Sequence, residues 1–197
     1  APNIEGNIVP SINLSGTTVT VAWTVPTATE PNDTVCATRA RVDLQVGSTW
    51  MNSSVQIVAI GEENTQVLTL DPCQHGSLTA KVIYLTIDEK YETQTVLSIK
   101  DKKYAGSGAK GLTIESFSQS CSLHLEWGVT CSPVEYYTVT WVETGSSEAP
   151  HKNETSEKET TIHSLKSTTY IVTVQAFWSS SEEMGETIQD SAKVKAV

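Results

Sequence analysis

Apolar and polar residues alternate with period two along most of this chain, and no segment sustains the three-and-four spacing of an amphipathic helix. Val19, Val21 and Trp23 fall on one face and Thr18, Thr20 and Ala22 on the other, which predicts a strand over residues 17–24 that Pro26 ends. Ala40, Val42, Leu44 and Val46 alternate with Arg39, Arg41, Asp43 and Gln45, the pattern of an antiparallel strand buried on one face and solvated on the other. Gly47-Ser48 turns the chain, residues 55–60 predict the next strand, and Gly61-Glu62-Glu63-Asn64 turns it again before a strand at 67–70. Leu78, Ala80, Val82 and Tyr84 form another inward series, and residues 92–99 close the set.

Between residues 100 and 111 the pattern stops. Lys100-Asp101-Lys102-Lys103 is followed by Ala105-Gly106-Ser107-Gly108, a polar, glycine-rich run that strands tolerate poorly. A boundary at Lys103 divides the chain into domains 1–103 and 104–197. The second half repeats the scheme: a strand over residues 112–117, then one over 122–128 with Leu123, Leu125 and Trp127 inward, then Tyr137, Val139 and Trp141 inward. A polar loop spans residues 145–158, a strand ends at Leu165, Tyr170, Val172, Val174, Ala176 and Trp178 share a face, and a last strand covers 187–194. The class is all-β, and 197 residues suit two sandwiches of about 95 residues each.

A net charge of −10 and a pI near 4.8 argue against nucleic acid or an anionic membrane face as partner, since both need clustered cations. Lys100, Lys102 and Lys103 form the only basic run and are too few for a polyanion site. No stretch of about 18 apolar residues occurs, so no membrane insertion by this segment is expected. The start, Ala1-Pro2-Asn3, has neither Met nor an apolar leader and reads as a processed or trimmed end. Four triplets satisfy the N-glycosylation rule, at Asn13, Asn32, Asn52 and Asn153, and point to an extracellular protein, secreted or on the cell surface.

Catalytic chemistry is not legible. His75, His124, His151 and His163 lack metal-ligand spacing, and His124 alternates outward between Leu123 and Leu125. Cys73-Gln74-His75 has no second pair to complete a tetrahedral set, so no metal is assigned. Without a nucleophile elbow, phosphate loop or dinucleotide fingerprint, neither an enzyme nor a cofactor is expected. Glu62-Glu63-Asn64 and Glu182-Glu183 read as solvated turns rather than calcium ligands, and no Arg-Gly-Asp tripeptide is present. The candidates for binding another protein are large side chains where polar ones belong. Trp50 and Met51 fall in an expected loop beside the Asn52 triplet, with one of them available to cap the core; Tyr136 and Phe177 fall on outward strand positions.

One run carries a family resemblance. Leu165-Lys166-Ser167-Thr168-Thr169-Tyr170-Ile171-Val172-Thr173-Val174-Gln175-Ala176 resembles the E–F corner and F strand of a fibronectin type III domain, with Ser167 replacing the usual proline. Thr18-Val19-Thr20-Val21-Ala22-Trp23 and Ser122-Leu123-His124-Leu125-Glu126-Trp127 are similar to two copies of that family's B strand. Leu70-Asp71-Pro72 resembles the leucine-x-proline corner of the first copy, although His75 stands where a tyrosine is expected. The resemblance implies two fibronectin type III-like β-sandwiches in tandem, and a non-catalytic extracellular segment of a receptor or adhesion protein that binds a protein ligand or counter-receptor or acts as a spacer. It also places Trp178 near the hinge, with inter-domain packing as its implied role.

Three other implications stay open. Trp178-Ser179-Ser180-Ser181-Glu182 is similar to the Trp-Ser-x-Trp-Ser motif of cytokine receptors without its second tryptophan, which implies a ligand at the inter-domain elbow. Cys121 and Cys131 bracketing Trp127, with Cys73 upstream, resemble receptor-type tyrosine phosphatase ectodomains of the leukocyte common antigen kind. A secreted protein capturing a host factor is a further alternative that no residue discriminates. Cys36, Cys73, Cys121 and Cys131 are all disulfide candidates in an oxidising compartment. Pairing within domains gives Cys36–Cys73 and Cys121–Cys131. A regular strand between Cys121 and Cys131 would, however, hold them roughly 20 Å or more apart, against a limit of about 7 Å between Cα atoms. The topology of the family raises the same objection to Cys36–Cys73 and implies Cys73–Cys131, an inter-domain staple, as the alternative.

Overall fold

The computed structural model describes residues 10–24, 39–58, 61–85, 92–95 and 102–195, and counts and absences below refer to these. The chain divides into two compact units, Ala1–Tyr104 and Ala105–Val197. The first contains β1 (Ser11–Ser15), β2 (Thr18–Thr24), β3 (Arg39–Val46), β4 (Thr49–Asn52), β5 (Gln56–Ile57), β6 (Glu63–Thr69), β7 (Gly76–Leu85), β8 (Glu92–Thr95) and β9 (Lys103–Tyr104). The second contains β10 (Ala109–Phe117), β11 (Ser122–Val129), β12 (Tyr136–Glu143), β13 (His151–Thr155), β14 (Glu159–Ile162), β15 (Thr169–Ser179) and β16 (Glu182–Lys193), with one 3-10 turn at Ser118–Ser120.

Both units are antiparallel sandwiches of one topology. In the first, a sheet ordered β1-β2-β6 faces one ordered β4-β3-β7-β8, with β5 added to β3 and β9 to β7; in the second, β10-β11-β14 faces β13-β12-β15-β16. Strands β2, β3 and β11 bury alternate residues between the two sheets of their units, as a half-solvated sandwich strand must. Val19, Val21 and Trp23 of β2 meet Ala40, Val42 and Leu44 of β3 and Leu78, Ala80 and Val82 of β7 in the first core. Leu123, Leu125 and Trp127 of β11 meet Tyr137 and Val139 of β12 and Val172, Val174 and Ala176 of β15 in the second. The Trp127 and Tyr137 rings pack edge to face at 5.3 Å, a favoured aromatic geometry.

The inward series read from the sequence are buried in the structure apart from Trp141 and Trp178, which are half-buried against the second core; the side chain of Tyr84 lies outside the described residues, and several strand bounds differ. Trp50 and Met51, expected in a loop, lie on β4, an edge strand paired with β3 through Gln45↔Trp50 and Leu44↔Met51. Within the expected polar loop, β13 pairs with β12; its side chains are nearly all exposed, so no apolar alternation marks it. β10 begins inside the glycine-rich run because Gly111, at φ +67°, forms a bulge between Lys110 and Thr113 that lets pairing continue on either side. β6 starts at Glu63 and β16 at Glu182, earlier than their apolar residues indicate; of the expected strand over 55–60, the described residues give Gln56–Ile57, and residues 59–60 lie outside them. Of the expected strand over 92–99, residues 96–99 lie outside the described residues.

Candidate interaction surfaces

The corner preceding β15 is built as the tyrosine requires. Tyr170 is buried, and its hydroxyl accepts a hydrogen bond from the Lys166 backbone N–H at 3.0 Å, tying the incoming loop to the strand. Leu165 N–H also donates to the Cys121 carbonyl at 2.9 Å. In the first unit, where His75 replaces that tyrosine, Asp71 organises the turn: its Oδ1 accepts from Cys73 N–H at 2.8 Å and its carbonyl from Gln74 N–H at 3.1 Å. A tyrosine reaches this core from elsewhere, since Tyr104 on β9 pairs with Gly76 and is buried. Burial, and secondarily the charge of Asp71, raise the Tyr104 phenol above its ordinary pKa.

Trp50 and Met51 separate by strand parity. Met51 packs against the first core, whereas Trp50 remains 43% exposed with the Lys81 ammonium 4.4 Å from its ring centroid. Ile57, 81% exposed, pairs with Arg39, and Trp50 with Gln45. Arg39 and Gln45 share the outer face of β3, so the two large side chains sit along one edge of one sheet face, with Arg41 and Asp43 between their partners. Arg41 Nε is 3.1 Å from Asp43 Oδ1 there.

Tyr136 and Phe177, read separately as outward residues, are paired. They are direct partners between β12 and β15, their rings stack at 4.7 Å and 6°, and both are half-buried. Strand β15 loses strict alternation because its register with β16 shifts between Val174 and Ala176. Gln175 is therefore buried beside Ala176, its amide donating to the Ala176 carbonyl at 2.7 Å and the Met184 carbonyl at 3.0 Å. Trp178 is half-buried, and its indole N–H donates to the Ala105 carbonyl at 2.8 Å, a contact within the second unit. The same segment makes a close backbone approach: a Cβ on Gly108 would lie 2.3 Å from the Met184 carbonyl oxygen.

Of the glycosylation candidates, Asn13 on β1, Asn52 on β4 and Asn153 on β13 are all exposed on edge strands. Asn32 and Cys36 lie outside the described residues. Cys73 and Cys131 are disulfide-bonded, while Cys121 carries a free thiol. Strand β11, regular from Ser122 to Val129, separates Cys121 from Cys131, so the Cys121–Cys131 pairing does not form.

A concavity of 270 Å³ in the second unit is lined by Trp141, Glu143, His151, His163, Lys166 and Tyr170, among others. Two of its polar groups are engaged with lining partners: Trp141 stacks on His151 at 5.6 Å, and Lys166 Nζ lies 3.8 Å from Glu143 Oε2. The four histidines include one whose surroundings the sequence pattern did not reveal. His124 is bonded through Nδ1 to the Thr161 hydroxyl at 2.9 Å, with carboxylates on its other side.

No protein-family model matches the chain, and no curated protein matches it in sequence. Among solved structures, it is similar to a two fibronectin type III domain segment from chicken tenascin, at 18% identity over 94% of this chain and 97% of that one, with a TM-score of 0.60. The FN1–FN3 domains of chicken CNTN1 align at 18% identity over 96% of this chain and 68% of that one, with a TM-score of 0.41. The fold is that of tandem fibronectin type III domains.

Proposed function

We propose that this chain is a non-catalytic, extracellular protein-binding segment of a cell-surface receptor or adhesion protein, and that the outer face of the β4–β3 edge contacts the partner. Fibronectin type III-like folds occur in receptor and adhesion ectodomains. Disulfide-bonded Cys73 and Cys131 fit an oxidising compartment, as do exposed glycosylation triplets at Asn52 and Asn153. The single observation that carries the reading is Trp50: a tryptophan on an edge strand, presented to solvent with a lysine over its ring while its neighbour Met51 fills the core. Tryptophan and arginine dominate the energetics of protein interfaces, and Arg39 and Arg41 lie on the same face. Asn52 pairs with Asp43 and so stands between Trp50 and Ile57 along this edge; a glycan there would bound the contact, and the partner would reach Trp50 from the side of Gln45 and Lys81.

The test is a binding screen of the glycosylated chain against an array of ectodomains, followed by Trp50→Ala. Support consists of a saturable partner whose affinity falls at least tenfold in the variant, with its melting temperature unchanged. A chain that binds nothing across the array and remains monomeric is a spacer, and the binding reading fails.

A further inference from the structure

We propose that His124, Glu126 and Glu159 form a surface site for a divalent cation of the zinc class on the outer face of the β10-β11-β14 sheet. His124 and Glu126 are two apart on β11 and therefore share a face, while Glu159 on β14 is the direct cross-strand partner of Glu126. One ligand atom from each of the three lies within 4.8 Å of the other two. His124 Nε2 is 3.2 Å from Glu126 Oε1 and 3.9 Å from Glu159 Oε2.

Three features argue for a cation rather than a chance grouping. Glutamates placed directly opposite one another on adjacent strands repel, and a bound cation turns that repulsion into shared coordination. Next, the imidazole is oriented from behind: its Nδ1 bonds to the hydroxyl of Thr161, the direct partner of His124, leaving Nε2 turned toward both carboxylates. This is the arrangement in which a ligating histidine is held by a hydrogen bond at its other nitrogen. Finally, the separations suit the metal. Ligand bonds of about 2.0–2.2 Å in a tetrahedron place donor atoms about 3.3 Å apart. The 3.2 Å pair already meets this spacing, and the others need shifts of an ångström or so in two exposed glutamates on a fixed sheet.

The donor set selects the metal. An imidazole nitrogen with two carboxylates suits zinc and its first-row neighbours, whereas calcium and magnesium favour oxygen alone. Three protein ligands leave a fourth position open. Glu126 and Glu159 also line a concavity of 550 Å³ with Trp127, Ser156, Glu157 and Lys158, which gives a fourth ligand room to enter.

Isothermal titration of the 197-residue chain with zinc chloride, in chelator-stripped buffer at neutral pH, tests the site. One equivalent of zinc binds, its dissociation constant rises at least tenfold in both His124→Ala and Glu159→Gln, and ring NMR signals of His124 shift on addition. Circular dichroism and melting in EDTA confirm that the variants fold, as these half-buried and exposed side chains permit. The proposal is overturned if zinc binds no tighter than millimolar. It is equally overturned if His124→Ala binds like the wild type while His151→Ala or His163→Ala abolishes binding.

Discussion

The Tyr170 hydroxyl accepts the Lys166 N–H at 3.0 Å, so a single phenol joins the loop leaving the β10-β11-β14 sheet to the first turn of β15 in the facing sheet. Tyr170→Phe keeps the ring in the core and deletes the acceptor, leaving a part-buried backbone N–H unpaired. The second unit is then destabilised by about 1–3 kcal/mol. Urea unfolding followed through the amide NMR signals of β12 and β15 measures it, and Tyr170→Leu, which also loses ring packing, is worse.

Trp23 and Trp127 occupy equivalent positions in separate cores and are both almost fully buried. Replacing either with alanine costs about 3–5 kcal/mol by leaving a cavity. Hydrogen exchange resolved by residue should show lost protection confined to β2, β3, β6 and β7 for Trp23→Ala, and to β11, β12, β14 and β15 for Trp127→Ala.

Alkaline pH destabilises both units. Burial raises the phenol pKa of Tyr104, with Asp71 adding to it, and burial raises that of Tyr137, each from an ordinary value of 10.0. Above pH 10 the unfolded chain therefore binds fewer protons than the folded one, and stability falls as pH rises toward the folded pKa values. The slope reaches at most about 1.4 kcal/mol per pH unit for each tyrosine. Tyr104→Phe and Tyr137→Phe flatten the curve in pH-dependent melting. At neutral pH Tyr104→Phe costs little, because the Tyr104 hydroxyl is buried with no hydrogen-bond partner among the described residues.

Gly108 and Gly185 interlock. A Cβ on Gly185 would lie 2.2 Å from Gly108 N, and one on Gly108 would meet two carbonyl oxygens at 2.3 and 2.8 Å, so the obstruction is backbone and cannot rotate away. Gly108→Ala should destabilise the second unit by about 1–3 kcal/mol. The Gly185 N–H bond to the Ala105 carbonyl, 2.9 Å long, opens with it, and faster exchange of that amide reports the change.

Cysteine chemistry is checked by alkylation and peptide mapping without reduction. Cys121 should be labelled in the unfolded, unreduced chain, while Cys73 and Cys131 should appear only in disulfide-linked peptides. Alkylation of either without reductant would contradict the structure.

Period-two alternation by itself determined the strands of both cores, because a strand buried on one face must segregate its residues: β2, β3, β7, β11 and β12 carry that segregation openly. Tyr170 was legible for the same reason, as a large aromatic at a turn needs a buried place and a partner for its hydroxyl. Edge strands β4 and β13 were not, since β13 exposes nearly every side chain and β4 turns only Met51 to the core, too little for an apolar face to show. Tertiary structure alone decided the rest. The bulge in β15 broke the parity that sequence assumes beyond Val174, cross-strand register stacked Phe177 on Tyr136, and the pairing of Glu126 with Glu159 set two carboxylates beside His124. Alternation specifies which face a residue takes. Which residue stands opposite is set by register, and register depends on turns and bulges that no local pattern encodes.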